Sequence, residues 1–335
     1  MSDANAGRDR RGHNIHSHAW VVGFVGLAVG LVLLLYVPSL QSISRSILLF
    51  AGFHLVGGAI VLASVYSLGL RRFVRRRASE RFERSDALDF GWGPEWMNGL
   101  AVAALAALAA AVAVNVAAPD FWPVAFALVL LAASFFAGNL VMRSFQSRDH
   151  VVLPMVALLR SDRDCVLDAG CGAGRTTIAL GRVLREGSVV AVDRFDADYI
   201  DDGGRSLIDR NLRLAGLVGR VEVVQGDLTA LPFVANRFDA AVSTNVFDHL
   251  GAGKQKALEE VSRVLKPDGR FLIAVWTPGW AMFAVANILS FFLTSRRDWR
   301  AMAERAGFKL VDQGVFNFAW FALLEKGQGV GGSSG

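Results

Sequence analysis

Four long apolar segments fill the first half of the chain, and they limit what it can fold into more than any other feature. None contains Lys, Arg, Asp or Glu. Each has about 19 residues or more, enough at ~1.5 Å per residue to cross a hydrocarbon layer ~30 Å thick. Because lipid offers the backbone no hydrogen-bond partners, such segments must be helical. The sequence therefore predicts a membrane domain over residues 19–142 with four transmembrane helices, at Ala19–Val37, Ser46–Leu70, Trp96–Ala118 and Pro123–Met142.

The basic residues predict how these helices are oriented. A signal peptide is the alternative for the first segment, but the second follows closely and no small-residue cleavage site stands out. Arginines cluster before the first helix, after the second and after the fourth: Arg8, Arg10, Arg11, Arg71–Arg84, Arg143 and Arg148. The other two loops hold only Arg45 and Asp120. The positive-inside rule then predicts a multi-pass protein of the bacterial inner membrane, with both termini and the catalytic domain in the cytosol.

The composition indicates membrane lipids as partners rather than nucleic acid. The net charge is +5, but the densest basic cluster, Arg71–Arg84, lies between two apolar segments. Gly26 and Gly30 have the spacing that lets helices approach closely, which fits packing within the bundle or, alternatively, a homo-oligomer. His54, an ionisable group within a span, fits a hydrogen-bonded packing histidine or a ligand cavity.

The chain ends and the cysteines add few constraints. Residues 1–18 are predicted to be a cytosolic tail, and residues 327–335, rich in glycine and serine, a flexible end or a cloning remnant. Cys165 and Cys171 have no metal-ligand partner at a usual spacing. We therefore expect neither a bound metal nor a disulfide framework.

From about residue 150 the pattern changes to short β-branched runs that alternate with helical periods. Residues 143–326 are predicted to form an α/β, Rossmann-like domain with a seven-stranded, mostly parallel sheet. The predicted strands are Cys165–Asp168, Ser188–Asp193, Arg220–Gln225, Phe238–Ser243, Arg270–Trp276, Lys309–Phe316 and Trp320–Glu325. Ligands of such sheets bind beyond the carboxyl ends of the strands.

A glycine turn follows the first of these strands. Asp168 ends the strand, and glycines stand at positions 170, 172 and 174 before a helix whose free N–H groups can meet a ligand. The dinucleotide fingerprint G-x-G-x-x-G fails, because its last position is Arg175. A plain strand–helix turn remains the simpler alternative for the turn by itself.

Two further acids end the next two strands. Asp193 can accept hydrogen bonds from the ribose hydroxyls of a nucleoside, and Asp227 from an adenine amino group. Either acid alone is more often a helix cap or a solvated loop residue. Three such positions at the ends of three consecutive strands favour a nucleoside ligand.

These residues, with the segments that follow, carry a resemblance over about residues 150–325. The domain resembles the class I S-adenosylmethionine-dependent methyltransferases, above all their quinone-biosynthesis-like small-molecule group. The segments that carry it are Val166–Arg175, Ala191–Asp193, Gly226–Leu228, Phe238–Leu250 and Leu258–Leu272. The resemblance implies S-adenosylmethionine as cofactor and S-adenosylhomocysteine as product.

It also implies roles for individual residues. Asp168, Gly170, Gly172 and Gly174 would hold the methionine part, Asp193 the ribose with Arg194 beside it, and Asp227 and Leu228 the adenine. Thr244 and Asn245 would line the site near the sulfonium. The candidate catalytic residues are Asn245, Asp248 and His249, of which His249 can take up a proton near neutral pH or serve only for packing. Tyr199, Asp201 and Asp202 can instead close over the site.

The substrate is predicted from the membrane segments. Trp280–Leu293 is almost wholly apolar but too short to span, which fits an interfacial helix at the substrate entrance or a buried core helix. The predicted function is methylation of a lipophilic or membrane-associated small molecule: a quinone, an isoprenoid or a phospholipid amine. The alternatives are an inactive membrane sensor or scaffold that binds the cofactor, and another nucleoside-using enzyme of this fold, such as an aminopropyl transferase.

Overall fold

The computed structural model describes residues 15–66, 88–91, 94–146, 155–197, 201–280, 282–283, 287–316 and 319–327. Within these ranges the first half is helical. Its four long helices are α1 (Ile15–Tyr36), α2 (Gln41–Tyr66), α3 (Pro94–Ala117) and α4 (Trp122–Gln146). They lie where the apolar segments predicted helices.

The four helices form two hairpins. Short 3₁₀ turns at Pro38–Leu40 and Pro119–Phe121 join α1 to α2 and α3 to α4, so each helix packs along the one that follows it. Gly26 and Gly30 lie in the α1–α2 contact, where a Cβ on Gly30 would lie 2.7 Å from the Leu48 side chain. Ser44 Oγ donates a buried hydrogen bond to the carbonyl of Gly30 at 2.7 Å. These two glycines therefore serve packing within the chain.

Large apolar side chains cover the outside of this bundle. Leu35, Leu105 and Val116 are each more than two thirds exposed. Among the described residues, two helical segments have the length and composition of a membrane span: Gly99–Ala117, with a mean hydropathy of 2.4, and Pro119–Leu140, with 2.0. The shorter apolar stretch Phe24–Tyr36 lies in α1.

The second half folds around one sheet, whose seven strands among the described residues follow the order β3-β2-β1-β4-β5-β7-β6. The pairs among β1 to β5 are parallel, and β7 runs antiparallel to both of its neighbours. The strands are β1 (Cys165–Ala169), β2 (Ser188–Asp193), β3 (Val221–Gln225), β4 (Phe238–Thr244), β5 (Leu265–Val275), β6 (Phe308–Phe316) and β7 (Ala319–Lys326). The order reverses between β1 and β4, so their carboxyl ends mark the crevice for a ligand.

Helices cover both faces of the sheet because its strands alternate apolar side chains between two faces. On one face Leu167 and Phe271 pack with side chains of α8 (Lys254–Val264) and α9 (Arg296–Arg305). On the other, Val166 and Leu272 pack with side chains of the first two of the remaining helices, and Ala191 packs with side chains of the second and third. Those helices are α5 (Met155–Leu158), α6 (Arg175–Val183) and α7 (Arg205–Leu214). The sequence prediction of a Rossmann-like, mostly parallel sheet is confirmed.

Two segments differ from their predicted local structure. Lys266–Gly269, which precedes the predicted fifth strand Arg270–Trp276, lies inside β5 as an irregularity: the register passes from Phe238 opposite Leu265 to Ala240 opposite Arg270. The apolar segment Trp280–Leu293 contains helical residues at 282–283 and a 3₁₀ helix at Asn287–Phe292, with residues 281 and 284–286 outside the described ones. A regular helix through this whole segment is therefore not observed.

Candidate functional site

The glycine turn joins β1 to α6 at the reversal point of the sheet. Gly170 and Gly174 both have φ of +86°, a conformation that side chains disfavour. A Cβ on Gly170 would lie 2.6 Å from the Val246 side chain, and one on Gly174 would lie 2.7 Å from Ile208. The turn therefore sits tightly between the loop after β4 and helix α7, with its backbone free of side chains on the ligand side.

Asp193, at the end of β2, is tied to this turn. Its Oδ2 accepts a hydrogen bond from the Gly172 N–H at 2.9 Å, and its Oδ1 accepts one from the Phe195 N–H at 2.9 Å. A carboxylate has about four acceptor positions, so the two oxygens keep capacity for the hydroxyls of a ribose. The residues predicted to hold the methionine and the ribose thus form one hydrogen-bonded unit.

Asp168 is a fully buried acid beneath the turn. Its Oδ2 accepts a hydrogen bond from Thr177 Oγ1 at 2.6 Å, and its Oδ1 has no partner among the described residues. Burial, opposed by the Thr177 hydrogen bond and aided by the charge of Asp193, raises the pKa of Asp168 to about 7. An unpartnered carboxylate oxygen in this position fits the ammonium group of the methionine part of the cofactor.

We predict that cofactor affinity rises with pH between about 5.5 and 7, with up to a tenfold change per pH unit below the pKa of Asp168. Below that pKa the free protein carries a proton on Asp168, and binding of an ammonium group must release it. Calorimetric titration with S-adenosylhomocysteine in two buffers of different ionisation enthalpy measures both the affinity and the proton release. Asp168→Asn should remove the pH dependence and Asp209→Asn should retain it; a constant Kd for the unmodified protein contradicts the prediction.

Asp227 lies beyond β3 in a local turn. Its Oδ1 accepts hydrogen bonds from the N–H and the hydroxyl of Thr229, both at 2.7 Å. Partial burial opposes ionisation, but these bonds and the charge of Arg194 outweigh it and lower the pKa of Asp227. Its Oδ2 lies 3.9 Å from Arg194 Nη1, and the side chain of the next residue, Leu228, is buried. The structure places a half-exposed, ionised acid next to an apolar residue, as an adenine site requires.

On the other side of β1, the end of β4 and the loop after it carry Thr244 and Asn245, the residues predicted to line the site near the sulfonium. Thr244 Oγ1 lies 2.9 Å from Thr176 Oγ1, which links β4 to the first turn of α6. Asn245 has φ of +56°, and its Oδ1 accepts a hydrogen bond from Trp276 Nε1 at 2.7 Å. Sequence reasoning missed Thr176, Thr177 and Trp276. Thr176 and Trp276 contact residues distant in the chain, and Thr177 reaches Asp168 across the glycine turn.

Asp248 and His249 have different environments. Asp248 is buried, and its Oδ1 has no hydrogen-bond partner in the described part of the chain. Burial raises the pKa of Asp248, against the opposing charges of His249 and Lys254. The His249 side chain is mostly exposed, with Nε2 3.8 Å from Asp248 Oδ2. Asp248 therefore has a buried, unpartnered carboxylate oxygen, whereas most of the His249 side chain lies in solvent.

The remaining candidate residues are only partly described. Tyr199 and the side chains of Asp201 and Asp202 lie outside the described residues, so their closure over the site stays a prediction. Within the described ranges, no group of three or more His, Cys, Asp or Glu side chains is placed to hold a metal ion. The site as described is built from hydrogen-bond acceptors and backbone N–H groups.

Comparison with known proteins agrees with this geometry. Residues 167–273 match the family model described as a methyltransferase domain. Over 113 residues the chain is 40% identical to the ubiquinone/menaquinone biosynthesis C-methyltransferase UbiE of Cronobacter sakazakii and 39% identical to that of Klebsiella pneumoniae. Each alignment covers 32% of this chain and 41% of the relative, so the chain spans about two fifths of the length of these relatives.

Solved structures to which the chain is similar include a SAM-dependent methyltransferase from Aquifex aeolicus. That comparison has 21% sequence identity and a TM-score of 0.42, and it covers 51% of this chain and 86% of the other. Geranyl diphosphate methyltransferase in complex with SAM has 15% identity and a TM-score of 0.44, covering 57% and 90%. The family match and the sequence relatives identify residues 167–273 as part of a methyltransferase domain that uses S-adenosylmethionine.

Proposed function

We propose that the chain is a membrane-anchored enzyme that transfers the methyl group of S-adenosylmethionine to a lipophilic small molecule. The observation that carries the proposal is an apolar patch of aromatic residues after β5, formed by the exposed Trp280, Phe291 and Phe292 and the half-buried Phe283. Trp280 is 89% exposed and Phe291 68%. Their rings meet through Phe283, with centroids 6.3 Å and 6.0 Å apart.

The position of the patch supports a route for the acceptor from the bilayer. It follows the carboxyl end of β5, the edge of the sheet at which an acceptor has to meet the cofactor. The 3₁₀ helix Asn287–Phe292 within it contacts α1 of the apolar bundle. An exposed aromatic patch of this kind marks an interaction surface rather than a protein core. A quinone, an isoprenoid or a phospholipid amine fits such a surface.

The names of the sequence relatives favour one of these three classes of acceptor. The two named above carry ubiquinone/menaquinone biosynthesis in their names, which favours a quinone-type acceptor. The alignments cover 113 residues of this chain, and the apolar patch after β5 supplies the independent support for a lipophilic acceptor.

The chemistry that the site supports is an in-line displacement at the sulfonium methyl carbon. The acceptor atom forms a bond to this carbon as the bond to sulfur breaks, and S-adenosylhomocysteine leaves. The protein has to align the acceptor and exclude water. Where the acceptor atom begins protonated, the proposed base is Asp248, whose Oδ1 is buried and has no hydrogen-bond partner among the described residues.

The direct test supplies the full-length protein, in detergent or lipid nanodiscs, with methyl-labelled S-adenosylmethionine and fractionated bacterial lipid extracts. We expect the label to appear in an organic-phase product of quinone or isoprenoid type. Cofactor binding by folded protein without transfer to any lipid fraction would favour the alternative, an inactive cofactor-binding sensor or scaffold.

We propose that α1 to α4 lie in the membrane and that both chain termini face the cytosol. The outward-facing large apolar side chains of the helices support the first statement, and the arginines that flank the apolar segments support the second. A reporter that is active only in the cytosol should therefore give a signal when fused at residue 335. A reporter that is active only outside the cytosol should give a signal when inserted within Pro119–Phe121. An external signal from residue 335 would contradict this topology.

Loss of the aromatic patch should affect lipophilic acceptors selectively. We predict that the double variant Trp280→Ser and Phe291→Ser raises KM for a membrane-embedded acceptor about tenfold or more, because two large apolar contacts with the acceptor or the bilayer are lost. The Kd for S-adenosylhomocysteine should change less than twofold. The matched control replaces two highly exposed apolar residues elsewhere, Val218→Ser and Val234→Ser. If the patch variant raised the Kd for S-adenosylhomocysteine as much as the KM for the acceptor, the patch would have a structural role instead.

A further inference from the structure

A short segment of the helical half, residues 88–91 between α2 and α3, docks on the methyltransferase domain. Leu88 and Phe90 pack against the apolar cluster that contains Cys171, Ile178 and Ile208. Cys171 belongs to the glycine turn, and the other two lie on α6 and α7. The segment thus reaches the helices that frame the cofactor site. We refer to residues 88–91 as the strap.

Asn211 fastens the strap to the turn. Its side chain is fully buried in α7 and makes three hydrogen bonds. The Oδ1 accepts from the Asp89 N–H at 3.0 Å, and the Nδ2 donates to the Asp89 carbonyl at 2.6 Å. The same Nδ2 donates to the carbonyl of Ala173, within the glycine turn, at 2.9 Å. One amide group therefore joins a backbone unit 122 residues away in the chain to the cofactor turn.

A second contact lies at the start of α6. The guanidinium of Arg175 stacks over the Phe90 ring at 5.9 Å, in the range of a cation–π interaction. Arg175 is the first residue of α6 and follows Gly174 directly. Within the strap, the Gly91 N–H donates to Asp89 Oδ1 at 2.9 Å, which keeps Phe90 at the tip of a tight turn. Both ends of the Ala173–Arg175 segment are thus in contact with the strap or its anchor.

We infer that the strap is part of the cofactor-binding structure, and that its docking and the binding of S-adenosylmethionine reinforce each other. The turn must hold one conformation to bind the cofactor, and the docked strap holds Ala173 and Arg175 in place. By linkage, a cofactor that orders the turn must stabilise the docked strap by the same factor. Asn211 is then a positioning residue, and the link ties the helical half to cofactor binding. The inference rests on the cofactor of the proposed function and not on its acceptor.

The test compares two variants of Asp89 in the full-length protein. Asp89→Pro removes the N–H that donates to Asn211 Oδ1 and leaves this buried oxygen without a donor. Asp89→Ala keeps the N–H, and both variants lose the side-chain hydrogen bond to the Gly91 N–H. We expect Asp89→Pro to weaken binding of S-adenosylhomocysteine about tenfold, and Asp89→Ala less than threefold. In the unmodified protein, saturating S-adenosylhomocysteine should slow amide exchange at residues 88–91 by about the same tenfold factor.

The exchange measurement distinguishes the linkage from a merely structural contact and does not depend on how well the proline variant folds. Unchanged exchange in the strap upon cofactor binding, or a folded Asp89→Pro protein with unmodified affinity, would overturn the inference while leaving the proposed function intact. Failure of the folded, unmodified protein to bind S-adenosylhomocysteine would overturn both.

Discussion

Asp193→Ala is expected to weaken the binding of S-adenosylmethionine by one to two orders of magnitude. A hydrogen bond to a charged group contributes about 1.5–3 kcal/mol, and the variant removes the acceptor proposed for the ribose hydroxyls. It also removes the acceptor of the Gly172 N–H, which connects β2 to the glycine turn. Both losses weaken the binding of S-adenosylmethionine. Calorimetric titration of the detergent-solubilised protein with S-adenosylmethionine and S-adenosylhomocysteine measures the effect.

The matched control for this experiment is Asp196→Ala. Asp196 lies three residues along the chain, is exposed, and pairs with Arg194 at 3.4 Å, so the control has the same change in charge without the contact to the turn. We expect its affinity to stay within about twofold of the unmodified protein. If the Asp193→Ala protein unfolds at the same temperature as the unmodified protein and binds the cofactor with unchanged affinity, Asp193 is not part of the cofactor site.

The sequence predicted the framework of the site because that framework is local. Glycines 170, 172 and 174, followed by acids at the ends of the next strands, are spacings that can be read along the chain. Once strands and helices alternate, the parallel sheet brings these ends to one edge. Each strand end lies within one residue of the prediction, apart from β5, in which the irregularity at Lys266–Gly269 extends the strand toward its start.

The contacts that hold this framework could not be predicted in the same way. Thr177 donates a hydrogen bond to Asp168, Trp276 to Asn245, and the Asp89 N–H to Asn211. Each pair depends on how two different elements meet in space. Threonine, tryptophan and asparagine in amphipathic segments carry no local signal for these partners. The same limit applies to Trp280–Leu293, because an apolar composition specifies burial in protein or lipid but not a regular helix.

Asp248→Asn is expected to lower kcat by about a hundredfold or more for an acceptor whose reacting atom begins protonated, as general-base catalysis contributes about 10²–10⁴-fold. The buried oxygen of Asp248 has no other partner among the described residues, and asparagine fills the same volume without accepting a proton. Because burial raises the pKa of Asp248, the ionised form that acts as base is lost as the pH falls through that raised value. The pH–rate profile of kcat should therefore rise with pH in the unmodified protein and lose this limb in Asp248→Asn.

The exposed neighbour provides the control that decides between the two candidate bases. His249→Ala should keep kcat within about threefold and retain the Asp248-dependent limb, because its imidazole lies mostly in solvent. The Kd for S-adenosylhomocysteine should stay within about twofold in both variants, which separates proton transfer from cofactor binding. If His249→Ala lowered kcat by about a hundredfold and Asp248→Asn did not, the roles of the two residues would be reversed. If neither variant changed kcat, the acceptor would react without a protein base, as a neutral amine does.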